Sequence, residues 1–270
     1  MRITFLGGGN MTTALIGGLL NHGSQPASIS VIEISAEKRA LLEKNYGINV
    51  FDGADAAALA CDAIVLAVKP QQMREACQSL QRHLRDQLVI SIAAGLRLTD
   101  LSRWLGGHEK LVRTMPNTPS LISAGMTGLF APPSVSEAER LGAERIMQAV
   151  GRTVWVNEEA QINAVTAISG SGPAYVFLFI EALQEAAAEL GLSPKQARQL
   201  SIETFLGAAK LAAQSDEPAS VLRERVTSKG GTTEAALSKM AEAGVKEGIV
   251  AGALAACARG AELGELLGKD

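Results

Sequence analysis

Aromatic residues are scarce in this chain, at 4% of 270 residues, while 27 glycines and many alanines are spread along it. Such a composition suits helices that pack closely and turns that close tightly. An apolar share of 47% is enough for a full core in one large or two ordinary domains. Cysteine is scarce too. Cys61, Cys77 and Cys257 are odd in number and far apart, which excludes a disulfide framework or a C-x-x-C centre and leaves reduced, buried thiols. His22, His83 and His108 lack metal-ligand spacing, so no metal is expected. No basic run stands out and the net charge is −3, which speaks against nucleic acid as a partner. No apolar run is expected to reach membrane-spanning length. The N-terminus enters a strand at once, without a signal peptide. A soluble cytoplasmic protein with no membrane partner is the expectation.

What the sequence does have is alternation. Ile3-Thr4-Phe5-Leu6 reads as a strand and Gly7-Gly8-Gly9-Asn10-Met11-Thr12 as a glycine turn. Ala14, Leu15, Ile16, Leu19 and Leu20 form one face of a helix. Strand, glycines, helix is the setting in which G-x-G-x-x-G binds a dinucleotide. Gly7 permits the tight turn, and Gly9 lets a pyrophosphate approach the backbone. Thr12 stands where Gly or Ala is usual, so the helix is expected to sit slightly away from the strand. A second strand, 29–34, carries Glu33 near its end. An acid there accepts hydrogen bonds from a ribose 2′-OH and repels a 2′-phosphate. That leans toward NAD, although Lys38 and Arg39 close by could serve a phosphate. The bland alternative for Glu33 is a cap on the next helix.

A helix at 36–46, a strand at 48–50, a short helix at 55–61 and a buried strand ending in Lys69-Pro70 follow. Strand ends of a parallel sheet face the ligand crevice, so Lys69 is a candidate nucleotide contact. A helix at 72–84 precedes the strand 88–95, which finishes in Ala93-Ala94-Gly95. Beyond a helix at 98–105, a strand at 110–113 leads into Thr114-Met115-Pro116-Asn117-Thr118-Pro119. Two prolines fix that loop as extended and suit it to wall a nicotinamide site. Strands at 126–130 and 152–156 flank a helix at 136–149. The alternation predicts an α/β Rossmann domain with a doubly wound, mostly parallel sheet over residues 1–158.

From 159 to 270 every apolar run has helical spacing, which predicts an all-α domain. Its helices are expected at 162–168, 173–190, 194–214, 219–226, 234–242 and 246–267. Residues 249–256 are apolar nearly all round. In a small domain such a helix needs a second subunit as cover, so an obligate dimer is expected. Two helix starts in this half are rich in small polar residues: Ser169-Gly170-Ser171-Gly172-Pro173 and Thr227-Ser228-Lys229-Gly230-Gly231-Thr232-Thr233. Pro at the first helical position is pre-set for the turn. Amides left uncovered at the positive end of a helix dipole suit a carboxylate or phosphate. Either start alone reads as a plain capped helix, and neither carries a histidine or acid able to do acid–base work. Beside a nicotinamide domain, the pair suggests a small anionic substrate gripped by its carboxylate.

Taken together, these residues resemble the pyrroline-5-carboxylate reductase family over essentially the whole chain. The resemblance rests on Gly7-Gly8-Gly9-Asn10-Met11, Ala67-Val68-Lys69-Pro70, Ala93-Ala94-Gly95, Met115-Pro116-Asn117-Thr118-Pro119, Ser169-Gly170-Ser171-Gly172-Pro173-Ala174-Tyr175 and Gly230-Gly231-Thr232-Thr233. It implies a Rossmann domain, a helical dimerisation domain, and reduction of 1-pyrroline-5-carboxylate to L-proline with NADPH or NADH. Homodimers that assemble as a pentamer of dimers are implied as well. By resemblance, Gly7, Gly9, Asn10 and Met11 hold the pyrophosphate, and Gly8 belongs to the same turn. Ala67, Val68, Lys69, Pro70, Ala93, Ala94, Gly95 and Asn117 line the nicotinamide side. Glu159, Thr232 and Thr233 match positions that contact the proline-like ligand, with Gly230-Gly231 receiving its carboxylate. Ser171, Gly172 and Ser228 complete the expected substrate set. Thr233 is the candidate catalytic residue, hydrogen-bonded to the ring nitrogen.

Three departures stand out: Thr12 for the usual Ala, Lys229 where Pro is commoner, and Glu33-Ile34-Ser35 in place of an NADP-preferring Ser or Arg pattern. A 3-hydroxyacid dehydrogenase-like enzyme is the nearest rival, but no lysine follows Gly172 until Lys195. A nicotinamide-binding sensor without turnover is the rival from another class.

Overall fold

The computed structural model describes residues 1–269. Its strands are β1 (Ile3–Leu6), β2 (Ile29–Ile32), β3 (Asn49–Phe51), β4 (Ala63–Leu66), β5 (Leu88–Ser91), β6 (Leu111–Met115), β7 (Gly125–Phe130) and β8 (Gly151–Trp155). They form one eight-stranded sheet in the order β3-β2-β1-β4-β5-β6-β7-β8. Every pairing is parallel except β6 with β7. The helices are α1 (Asn10–Asn21), α2 (Ala36–Tyr46), α3 (Met73–Leu80), α4 (Leu98–Trp104), α5 (Glu137–Gln148), α6 (Gln161–Val165), α7 (Gly172–Glu189), α8 (Pro194–Gln214), α9 (Ala219–Arg225), α10 (Thr232–Glu242) and α11 (Val245–Leu267). The order of elements reproduces the expected α/β half followed by an all-α half.

The central strands are apolar at nearly every position because both sheet faces are covered. Their side chains alternate between two cores. Phe5, Val31, Val65 and Ile90 join Leu15 and Ile16 of α1 and Ile146 of α5. Leu6, Ile32, Ile64, Leu66 and Val89 join Met73, Cys77 and Leu80 of α3 and Leu101 of α4. Burial pushes the Cys77 thiol up to about 12, as expected of an inert packing residue.

The chain divides into two compact units, 1–171 with 256–270, and 172–255. In the second unit α7 and α8 pack together, with the Phe179 and Phe205 rings 6.2 Å apart. Among its residues only Ala197 and Ser201 are buried. Phe177, Leu178, Leu206, Leu211 and Leu254 lie exposed.

Four local expectations need correction. Residues 55–61 form turns, not a helix: Asp55 Oδ1 accepts the Ala58 amide at 2.7 Å, and Thr4 Oγ1 donates to the Ala58 carbonyl at 2.7 Å, diverting it from helical pairing. Thr12 is accommodated, fully buried, with its Oγ1 donating to the Gly7 carbonyl at 2.7 Å. Farther along α1, Gly18 also packs closely: a Cβ there would lie 2.2 Å from the Ala149 carbonyl oxygen. Residues 161–189 are helical over a length and composition sufficient to cross a membrane, so the expectation of no such run does not hold.

The fourth correction concerns the start of α7. Thr166–Gly170 is a π-helical turn, and the Ser171 amide donates to the Thr166 carbonyl at 2.8 Å. The Ser171 amide is therefore engaged by the preceding turn rather than left open. Asn117 Nδ2 takes the Ser169 carbonyl at 3.1 Å. Gly170 leaves room for Met115, whose Cε would be 2.6 Å from an added Cβ.

Candidate functional site

Strand order reverses between β1 and β4, and the crevice beyond their C-terminal ends is where doubly wound sheets bind ligands. Here that crevice is a groove of about 560 Å³ lined by Gly7, Gly8, Gly9, Glu33, Lys38, Ala67, Val68 and Lys69, among other residues. Seven expected cofactor residues are thus brought together by two strand ends and one glycine turn. A larger hollow of about 880 Å³, lined by residues such as Met1, His22 and Arg145, holds none of the expected site residues.

The turn is built for close approach. Gly7 has φ +104°, and a Cβ on it would sit 2.9 Å from the Ala67 carbonyl oxygen. Gly9 caps α1 in an extended conformation with no side-chain cap, and an added Cβ would meet nothing within 4 Å. Asn10 and Met11 open the helix, with no acidic residue in its first turn. Open space above Gly9 and uncapped amides at a helix N-terminus fit a dinucleotide pyrophosphate.

Glu33 is 8% exposed and engaged on both oxygens. Its Oε2 accepts the Gly8 amide and its Oε1 the Ser35 amide, each at 2.9 Å. Arg39 Nη1 donates to the Glu33 and Ile34 carbonyls at 2.7 and 2.9 Å. The acid at the end of β2 is therefore a strut of the glycine turn as well as part of the groove wall.

Other expected residues sit elsewhere. Pro70 opens a short 3₁₀ turn after Lys69. Ala93, Ala94 and Gly95 follow β5. Gly95 has φ +75°, and its Cβ position lies 3.1 Å from Leu263 Cβ of α11, so close helix packing requires this glycine. Asn117 ties its loop together, donating to Ser169 and accepting the Met126 amide at 2.9 Å. Glu159 Oε1 accepts the Leu98 amide at 2.7 Å and Arg113 Nη1 at 3.1 Å. Burial lowers the Arg113 pKa from its ordinary value, and the Glu159 charge opposes that shift. Ser171 lies at the bend before Gly172, the first residue of α7.

In the helical unit, Ser228, Gly230, Gly231, Thr232 and Thr233 form one turn leading into α10. Gly230 has φ +72°, Gly231 is the N-cap, and the Gly231 amide donates to the Ser228 carbonyl at 3.0 Å. Just past this turn, Glu234 Oε2 accepts the Gly230 amide at 2.7 Å. Glu234 lies one residue beyond the expected site residues. An acid three residues past a glycine N-cap, able to reach back, was the available signal.

Comparison with known proteins agrees with this layout. A family model described as pyrroline-5-carboxylate reductase dimerisation matches residues 159–263, and one described as NADP oxidoreductase coenzyme F420-dependent matches residues 2–95. The chain is 46% identical to a pyrroline-5-carboxylate reductase of Pseudomonas aeruginosa over 99% of its length and 98% of the relative's. The chain belongs to the pyrroline-5-carboxylate reductase family.

A second relative, from Haemophilus influenzae, is 47% identical over 87% of this chain and 88% of its own. Among solved structures, a pyrroline-5-carboxylate reductase from Coxiella burnetii superposes with a TM-score of 0.92 at 42% identity, covering 97% of this chain and 98% of that one. The Plasmodium falciparum pyrroline carboxylate reductase, solved with NADP bound, gives a TM-score of 0.86 at 29% identity over 98% of both chains.

Proposed function

We propose that this protein reduces 1-pyrroline-5-carboxylate to L-proline with NAD(P)H, the last step of proline biosynthesis. The observation that carries the reading is a nearly full-length match to reductases of that name, in a chain whose glycine turn and groove fit a dinucleotide. When bound, the nicotinamide would supply a hydride from its C4 to the imine carbon of the substrate, C2 of the pyrroline ring and C5 of the proline formed.

The chain's own residues bind and orient. Gly9, Asn10 and Met11 receive the pyrophosphate at the α1 terminus, while Gly7 and Gly8, whose amides are held by the Ile32 carbonyl and by Glu33 Oε2, shape the turn that lets it approach. Ala67, Val68, Lys69, Pro70, Ala93, Ala94, Gly95 and Asn117 form the nicotinamide side. In the turn before α10, Gly230 and Gly231, with Ser228 and Thr232, are assigned to the substrate carboxylate, which displaces Glu234 Oε2 from the Gly230 amide; Glu159, Ser171 and Gly172 are further candidate substrate contacts. Thr233 donates to or relays for the ring nitrogen. A threonine hydroxyl is a poor acid, so Thr233 orients the proton instead of supplying it. A protonated imine accepts hydride more readily than a neutral one. Most of the acceleration comes from holding the two reacting carbons in contact.

We further propose that residues 159–270 act as the substrate-binding and dimerisation domain. A second copy of the chain, not lipid, covers the apolar faces of α7, α8 and α11. A pentamer of dimers and a cytoplasmic location belong to the same reading. The test is NADH and NADPH oxidation with 1-pyrroline-5-carboxylate, with L-proline identified as product. Absorbance that stays constant with both cofactors contradicts the reading and favours a sensor.

A further inference from the structure

We infer that Glu33 makes this protein select NADH over NADPH, by filling with its own carboxylate the anion pocket that a 2′-phosphate would need. The inference rests on the proposed reaction only in assuming that the groove holds a nicotinamide dinucleotide.

An acid at the end of the second strand is a general device for recognising a ribose 2′-OH. What the structure adds is that this acid cannot swing aside at little cost. Both of its oxygens accept backbone amides, Gly8 and Ser35, each at 2.9 Å. Rotating the side chain out would strip acceptors from two donors in a largely buried site. The glycine turn is packed around it: a Cβ on Gly8 would meet Leu42 Cδ1 at 2.9 Å and Glu33 Oε2 at 3.1 Å. The neighbouring cation is also committed, since Arg39 Nη1 donates to the Glu33 and Ile34 carbonyls and holds the loop from outside. Lys38 lines the groove and is exposed. One solvated lysine facing a fixed carboxylate does not offset a dianionic phosphate placed against that carboxylate.

The same geometry gives the outcome of removing the acid. Without the carboxylate, the Gly8 and Ser35 amides lose their acceptor and, with the Ser35 hydroxyl and Lys38, form an anion site. Glu33→Ser should therefore reverse the preference, not merely relax it. Glu33→Gln keeps an acceptor for one amide and removes only the charge, so it should bring the two cofactors close to parity.

The experiment is titration of NADH and NADPH onto the wild-type protein, Glu33→Gln and Glu33→Ser, followed by nicotinamide fluorescence, with kcat/KM for each cofactor beside it. The expected wild-type result is NADH favoured by about tenfold or more, the size of a like-charge penalty in such a site. The ratio should fall to near unity in Glu33→Gln and turn toward NADPH in Glu33→Ser. Tighter NADPH binding by the wild type, or an unchanged ratio in a folded Glu33→Gln, overturns the inference. Cofactor titration needs no substrate. Absence of turnover with 1-pyrroline-5-carboxylate would therefore count against the proposed reaction alone, while the binding ratio still decides the role of Glu33.

Discussion

Arg113 Nη1 lies 3.1 Å from Glu159 Oε1, and the same carboxylate oxygen accepts the amide that opens α4 at 2.7 Å. One acid thus joins β6, the start of α4 and the approach to α6, while Arg113 Nη2 adds a bond to Asn163 Oδ1 at 3.3 Å. The Arg113 side chain is 3% exposed and that of Glu159 24%, so losing the acid leaves a buried cation uncompensated. Glu159→Ala should cost about 3 kcal/mol, and Glu159→Gln clearly less because it keeps an acceptor. Urea denaturation at fixed protein concentration reads both. Equal loss in the two variants would show that the charge contributes nothing.

Gly7 and Gly9 should separate stability from cofactor binding. Gly7→Ala forces a side chain into φ +104° and toward the Ala67 carbonyl oxygen at 2.9 Å, so it should lower Tm without any ligand. Gly9→Ala adds a methyl group into open space, so the free protein should keep its Tm. The groove side is where that methyl group matters, and cofactor affinity should fall about tenfold or more. A Gly9→Ala protein that binds NAD(P)H normally would remove the pyrophosphate from that position.

Thr233→Ala should reduce kcat by at least about tenfold while cofactor Kd stays put, because the hydroxyl is assigned to the ring nitrogen and not to the nucleotide. Unchanged steady-state rates would discard the role. Thr233→Ser, which keeps the hydroxyl, should recover most of the rate.

Asp62 links stability to pH. The Arg2 amide, donating to Asp62 Oδ2 at 2.7 Å, holds this carboxyl below the ordinary carboxylate range. A depressed folded pKa means stability that is present above the unfolded value and lost as pH falls through the folded one. Asp62→Asn should therefore lower Tm at pH 7, and the gap from wild type should close under acid. Thermal melts from pH 7 to pH 2 test this. A gap that widened on acidification would contradict it.

Much of this fold is legible in the sequence because its signals are local. Gly7 to Gly9 sit between a run that fits a fully buried strand and a helical face, and no other local structure satisfies all three. The alternation of Phe5 with Leu6, or Val65 with Ile64 and Leu66, already says that both sheet faces are covered. Three other features depend on distant partners. The end of the π turn at Thr166–Gly170 meets Asn117 and Met115, about fifty residues earlier in the chain. The loss of a helix at 55–61 depends on Thr4 taking the Ala58 carbonyl. The double engagement of Glu33 depends on the turn curling back to present the Gly8 amide. For the site, the glycine groove could be read from spacing, whereas the substrate residues came from resemblance, since short polar helix starts are chemically ambiguous.

The central claim is hydride transfer to the pyrroline ring. Its most direct test is a single turnover with NADH or NADPH deuterated at both C4 positions, followed by mass spectrometry and NMR of the product. The account predicts one deuterium at C5 of L-proline. Proline formed without the label, or no proline at all, would contradict it.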